Sequence, residues 1–268
     1  MSFVSSDVTF DGIISGSGTL IRNGSGTWML NGTNTFSGGC TINATTFVNG
    51  TLPANLISVS GTLGGTGTVG RVNMGANGTM SPGLSAGRLT TSNLAFIVSS
   101  KFRVELNGTT PGSGYDQLKV NGAVNNLASA TLNATLGFLS ASNTSFTIID
   151  NDGSEAVTNT FLGLPEGATL NIYGTLFRIS YMGGTGNDVV LTQLADTQQP
   201  RLTIARAANT NVVLRWATNF TSFTLEANTN LNTNVWAVVT NLPAVSGTNH
   251  VVTNAASGTQ KYYRLRAP

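Results

Sequence analysis

Gly16 to Gly50 reads GSGTLIRNGSGTWMLNGTNTFSGGCTINATTFVNG, and the repetition inside it decides the fold. Ser17-Gly18-Thr19 returns eight residues later as Ser25-Gly26-Thr27. Apolar residues follow each time, Leu20 and Ile21 and then Trp28 and Met29, and each unit closes on Asn-Gly, at Asn23-Gly24 and Asn31-Gly32. One short strand and one tight turn cannot bury an apolar face alone, so such a unit needs a neighbouring rung. Asn and Gly supply the left-handed backbone angles of abrupt corners, and Thr suits a pleated surface. The expectation is an all-β chain built on a right-handed parallel β-helix.

Working outward, Val8 to Ile97 is a series of short β fragments between Gly-containing corners, with no 3.6-residue recurrence. After Gly87 the strands lengthen: Lys101–Asn107, Gln117–Val120, Ala130–Leu136, Ser145–Ile149, Thr169–Tyr173, Phe177–Tyr181 and Asp188–Leu191. These are wider coils of the same solenoid or a β-sheet cap on it, and the sequence does not separate the two. The Gly-rich texture stops at a polar stretch ending in Pro200. Beyond it, six strands alternate with turns: Leu202–Ala205, Val212–Trp216, Phe223–Glu226, Val235–Val239, His250–Val252 and Lys261–Arg266. The expected organisation is a β-helix over 1–195, a linker over 196–200 and a small antiparallel β-sandwich over 201–268.

Only 9% of the 268 residues are charged, against about 25% in ordinary globular proteins, so Thr, Ser, Asn and Gly must cover the surface. That composition suits a secreted or cell-surface scaffold. The net charge of +2 includes no Lys/Arg run, which argues against nucleic-acid binding. No apolar run approaches the ~20 residues of a membrane-spanning helix, so no membrane insertion is expected. The segment MSFVSSDVTF has neither a basic start nor an apolar stretch, so no signal peptide is read in it. Cys40, the single cysteine, excludes an internal disulfide and lies in an apolar alternation, as a buried thiol does.

Carbohydrate-cleaving β-helices need carboxylates clustered on adjacent coils. Here the acidic residues are Asp7 and Asp11, and then none until Glu105, which points to a non-enzymatic protein without a cofactor. Asp150, Asp152 and Glu155 form the densest acidic group and are the calcium candidates, although an Asx-type turn accounts for them. Gly183 to Leu191, GGTGNDVVL, matches a calcium-binding nonapeptide in a single copy, and a glycine turn entering a strand explains it better. His250, the only histidine, lies in the terminal module, away from any nucleophile–base partner. Trp28, Trp216 and Trp236 read as packing residues, leaving surface-glycan binding as the alternative function and a polysaccharide-degrading β-helix behind it.

Residues 16–48 resemble the autotransporter-associated β-strand repeat, also called the passenger-associated transport repeat. Gly24-Ser25-Gly26-Thr27-Trp28-Met29-Leu30-Asn31-Gly32 opens the pattern, and Phe36-Ser37-Gly38-Gly39-Cys40-Thr41-Ile42 closes it. Phe36 stands where the repeat usually has Tyr. Leu63–Val69, Ser81-Pro82-Gly83, Tyr115–Leu118, Phe146–Gly153 and Gly183–Leu191 are similar to the tails of bacterial autotransporter-like passengers. Residues 201–268, with Val213-Leu214-Arg215-Trp216 and Tyr262-Tyr263-Arg264-Leu265-Arg266, resemble a fibronectin type III-like module. Together these resemblances imply a secreted or surface-exposed β-helical stalk and no reaction.

A solenoid's first and last coils expose unpaired backbone groups. The first strand, with Val8 and Phe10, has no helix, Lys, Arg or Pro to cover it. Six strands also leave a seven-stranded sandwich one short, beside Tyr262, Tyr263 and Leu265. The expectation is self-association, the N-terminal coil of one copy docking on the C-terminal module of the next. Such a contact does not close and builds a filament.

Overall fold

The computed structural model describes residues 6–97, 99–138, 140–153, 155–194, 200–208, 210–218, 220, 223–233, 235–256, 258 and 260–266. It has two compact units, Met1–Ala195 and Asp196–Pro268. In the first unit, sheet A contains β1 (Val8–Phe10), β3 (Trp28–Leu30), β5 (Thr46–Val48), β8 (Thr62–Gly65), β11 (Thr79–Pro82), β14 (Ser100–Leu106) and β17 (Ala130–Leu136), in that order. Sheet B contains β2 (Leu20–Arg22), β4 (Cys40–Ile42), β7 (Ile57–Val59), β10 (Val72–Met74), β13 (Leu94–Phe96) and β16 (Val124–Asn125). Sheet C begins with β6 (Thr51–Leu52), β9 (Thr68–Val69), β12 (Arg88–Thr91), β15 (Gln117–Val120) and β18 (Ser145–Asn151). All these pairings are parallel. From β5 to β18 the chain visits A, C and B in rotation, so each circuit lays one strand on each sheet.

Alternation decides what each strand buries. Ile42, Val59, Met74 and Phe96 stack in register along sheet B, all buried. Arg22 begins the same column, paired with Ile42, and is only 1% exposed. Its guanidinium is accommodated because it donates to the carbonyls of Asn23, Ser25 (2.9 Å) and Gly26 (2.8 Å) and lies 4.8 Å from the Trp28 ring centroid. A buried charge is tolerable only when hydrogen-bonded in this way. Sequence reasoning took Leu20 and Ile21 as the apolar pair of this strand and did not see Arg22 as an inward residue.

The corners are held by side-chain ladders. Asn31 donates its amide to Asp11 (2.8 Å) across 20 residues, and Asn49 donates to Asn31 (2.9 Å) across 18. Thr66 donates its hydroxyl to Asn49 across 17. Each rung is followed by a glycine: Gly12, Gly32, Gly50 and Gly67. A Cβ on Gly32, Gly50 or Gly67 would lie 1.9, 2.2 or 2.0 Å from a carbonyl oxygen of the coil before it. Stacking is therefore close enough only for a bare α-carbon.

The coils then widen, to a 30-residue step between Asn93 and Ala123. After β18 the chain reverses, and β19 (Thr169–Ile172), β20 (Thr175–Gly183) and β21 (Asp188–Gln193) extend sheet C antiparallel, in the order β18-β21-β20-β19. The late strands are thus both wider coils and a closing sheet. Phe102 stacks on Phe161 (5.7 Å), and Phe146 contacts Tyr115 (5.3 Å) and Phe177 (6.1 Å), filling the larger cross-section with aromatic rings.

The second unit has two antiparallel sheets. One is β22 (Thr203–Arg206), β23 (Asn211–Ala217), β27 (Asn249–Ala255) and β26 (Ala244–Ser246); the other is β25 (Ala237–Val238), β24 (Thr224–Asn228) and β28 (Tyr262–Arg266). Leu214, Trp216, Phe220, Leu225 and Val252 form their shared core. The described strands number seven, not the six expected. The one missed, Ala244–Ser246, is exposed at all three positions and carries no alternation to detect. Residues 196–199 of the expected linker lie outside the described residues.

Candidate functional site

Chemistry-bearing side chains are used structurally. Asp7 Oδ1 accepts the Thr27 N–H (2.7 Å), and Asp11 starts the corner ladder, so both are corner residues. Asp116 is buried and accepts N–H bonds from Gly87 and Glu105 (2.9 Å each), tying the residue before β12 and strand β14 to the Tyr115–Leu118 strand start, so close to Gly83 that a Cβ there would meet its Oδ1 at 2.4 Å. Burial pushes its carboxyl up to about 6, against the pull of those two N–H groups. Two of the singled-out motifs also meet. Asn151 N–H donates to Asp188 Oδ1 (2.9 Å), and the Asn187 amide donates to the Gly153 carbonyl. Burial raises the Asp188 carboxyl, with the Asn151 N–H opposing.

Among the described residues no group of three or more His, Cys, Asp or Glu is placed to hold a metal ion, Asp150, Asp152 and Glu155 included. Cys40 is buried, which pushes its thiol up to about 12. His250 packs against Trp216 at 5.3 Å between ring centroids. Trp28 and Trp216 are buried, and Trp236 carries the Arg264 guanidinium 4.3 Å above its ring.

The fold also leaves strand edges open. Among the described residues β1 pairs only with β3, and β28 pairs only with β24. In β1 the Val8 N–H donates to Thr27 O (2.8 Å), and Phe10 O accepts from Asn31 N–H (3.0 Å). Parallel ladders use alternate residues, so the N–H and C=O of Thr9 face away from the fold. Phe10 is 39% exposed. In β28, Tyr263 and Leu265 pack on the unit's core, so they are not surface anchors. Arg264 and Arg266 reach across β24 to Glu226 at 2.8 and 2.7 Å, and Tyr262 donates its hydroxyl to Gln260. Sheet A has a second open edge that sequence reasoning missed, at β17. Ala130–Leu136 was legible as a strand; that it is the last rung follows only from the stacking order.

Residues 20–52 match the family model of the passenger-associated-transport-repeat. The match spans β2 to β6, where the asparagine ladder and the glycine corners lie. This repeat is associated with autotransporters, which suggests a passenger-like surface protein. No curated protein matches the chain. No described helix is long and apolar enough to cross a membrane, a statement that leaves β-barrels aside.

Proposed function

We propose that this is a non-enzymatic, secreted or cell-surface structural protein whose copies associate head to tail through open β edges. The observation that carries the reading is that different strand edges, β1 at one end of sheet A and β17 and β28 elsewhere, are left without a pairing strand among the described residues. Two different edges on one chain make a heterologous contact, which builds an open filament when the rotation between copies does not close a ring. The stalk is a parallel coil stack, and the terminal unit is a fibronectin type III-like sandwich. The repeat match, the ladder-held corners and the low charge all support an extracellular scaffold. On this reading Val8 and Phe10 belong to the donor strand, and the open backbone edges of β17 and β28 are the acceptors to test.

Electron microscopy of the purified full chain tests the proposal. Unbranched fibres are expected, and monodisperse single particles at all concentrations would end it. Thr9→Pro is the informative variant, because it removes an outward N–H and leaves the Val8–Thr27 bond intact. It should abolish fibres while the circular dichroism spectrum of the folded chain is kept.

A further inference from the structure

We infer that the acceptor in this head-to-tail contact is the groove beside β17, and that its occupant is the β1 edge of a second copy. The inference rests on the proposed self-association and names its surface.

The end of the coil stack is closed unevenly. Sheet B is capped by Thr158, whose N–H donates to Val124 O (3.0 Å) while its carbonyl accepts from Leu127 (3.1 Å). Sheet C runs on into the antiparallel β21. Among the described residues, sheet A is covered only at its start, where Leu162 N–H reaches Ala130 O (2.9 Å). Gly137 N–H donates inward to Leu106 O (2.8 Å), which fixes the parity of the strand. Residues 131, 133 and 135 therefore bond to β14, and the N–H and C=O groups of Leu132, Ala134 and Leu136 point out of the sheet. No described strand pairs with that edge.

These groups open onto a groove of about 840 Å³ between β17 and β19. β19 is itself the unpaired edge of sheet C. Leu132, Ala134, Leu164 and Leu170 line the groove, with Leu162 (64% exposed) and Tyr173 (77% exposed) at its rim. Tyr173 holds a positive φ of 49° in the two-residue turn between β19 and β20, where a bulky residue is strained. A slot between two open strand edges, floored by leucines and rimmed by an aromatic ring, has the chemistry of a site for a polypeptide strand. No sugar or small molecule repeats N–H and C=O groups at strand spacing.

Three features make β1 of another copy the occupant. It is the opposite end of the same sheet, so its addition continues sheet A in register direction from molecule to molecule. Its Thr9 backbone is the unpaired counterpart of Ala134. Arg103, the charged residue lining the groove, is bound to Glu105 (3.1 Å) yet its side chain is 53% exposed, which leaves it open to Asp7 and Asp11, the residues that flank β1. At the competing edge β28, Arg264 and Arg266 are turned back to Glu226 on β24 (2.8 and 2.7 Å) and Tyr263 and Leu265 pack on the unit's own core, so these side chains are not free to anchor an incoming strand.

The test mixes full-length T9C with full-length N133C and adds a short thiol-bridging reagent. Asn133 is exposed on the outer face of β17, and buried Cys40 does not compete. A bridged dimer of twice 27.7 kDa is expected, together with an assembly threshold raised about tenfold by Ala134→Pro, which removes one outward N–H. Fibres in which T9C bridges to Y262C and not to N133C would overturn this inference and leave the proposed function standing. A chain that stays monomeric and unbridged in every mixture would overturn both.

Discussion

Gly50→Ala should loosen the coil stack by about 3 kcal/mol, the upper end of what an inserted methyl group costs in a closely packed site. The added Cβ would sit 2.2 Å from Gly32 O and 2.4 Å from Asn31 O, inside any permitted contact and against backbone that no rotamer change can move. The corner must therefore separate. With it go the Thr68 N–H bond to Gly50 O (2.9 Å) and the Asn49–Asn31 rung. Gly18→Ala is the control, because a Cβ there meets nothing within 4 Å and its φ is not positive. Thermal unfolding followed by far-ultraviolet circular dichroism should place the midpoint of Gly50→Ala about 6–12 °C below wild type, with Gly18→Ala within a degree or two. Equal midpoints for the two variants would refute the claim that backbone contact between corners sets the stacking distance.

Three further outcomes are expected. Arg22→Ala should cost about 3 kcal/mol, seen as a lower urea midpoint, because three carbonyls lose their donor and Trp28 loses the cation over its ring. Asp116 binds its proton more tightly when folded, at about 6 against the ordinary 3.8, so its contribution to stability is full below pH 4 and is lost as pH rises through 6. Asp116→Asn should flatten that part of a urea-midpoint-against-pH curve while lowering stability by about 1–3 kcal/mol, since each carboxyl oxygen accepts one N–H and the amide NH2 would face one of those donors. Cys40 should resist a thiol-specific dye in the native protein and react fully in denaturant; native labelling at the rate of a free thiol would contradict its buried placement.

Much of this molecule was legible in the chain. Ser-Gly-Thr and Asn-Gly units at short spacing dictate brief strands and abrupt corners, because a strand of three residues gains a core only from neighbouring rungs. Alternation in Trp28–Leu30 and Cys40–Ile42 assigns inward faces by period alone. The scarcity of carboxylates between Asp11 and Glu105 is likewise a fact of composition. What escaped was whatever depends on which rung meets which. Arg22 sits in an apolar column because three carbonyls of its own turn surround its guanidinium, a geometry no spacing rule conveys. Ala244–Ser246 becomes a strand only through pairing with β27. Edge or interior is likewise not a property of a segment. Ala130–Leu136 looks like any other strand until the coils are stacked and its outer edge is found without a pairing strand among the described residues, because backbone pairing is settled between strands and not within them.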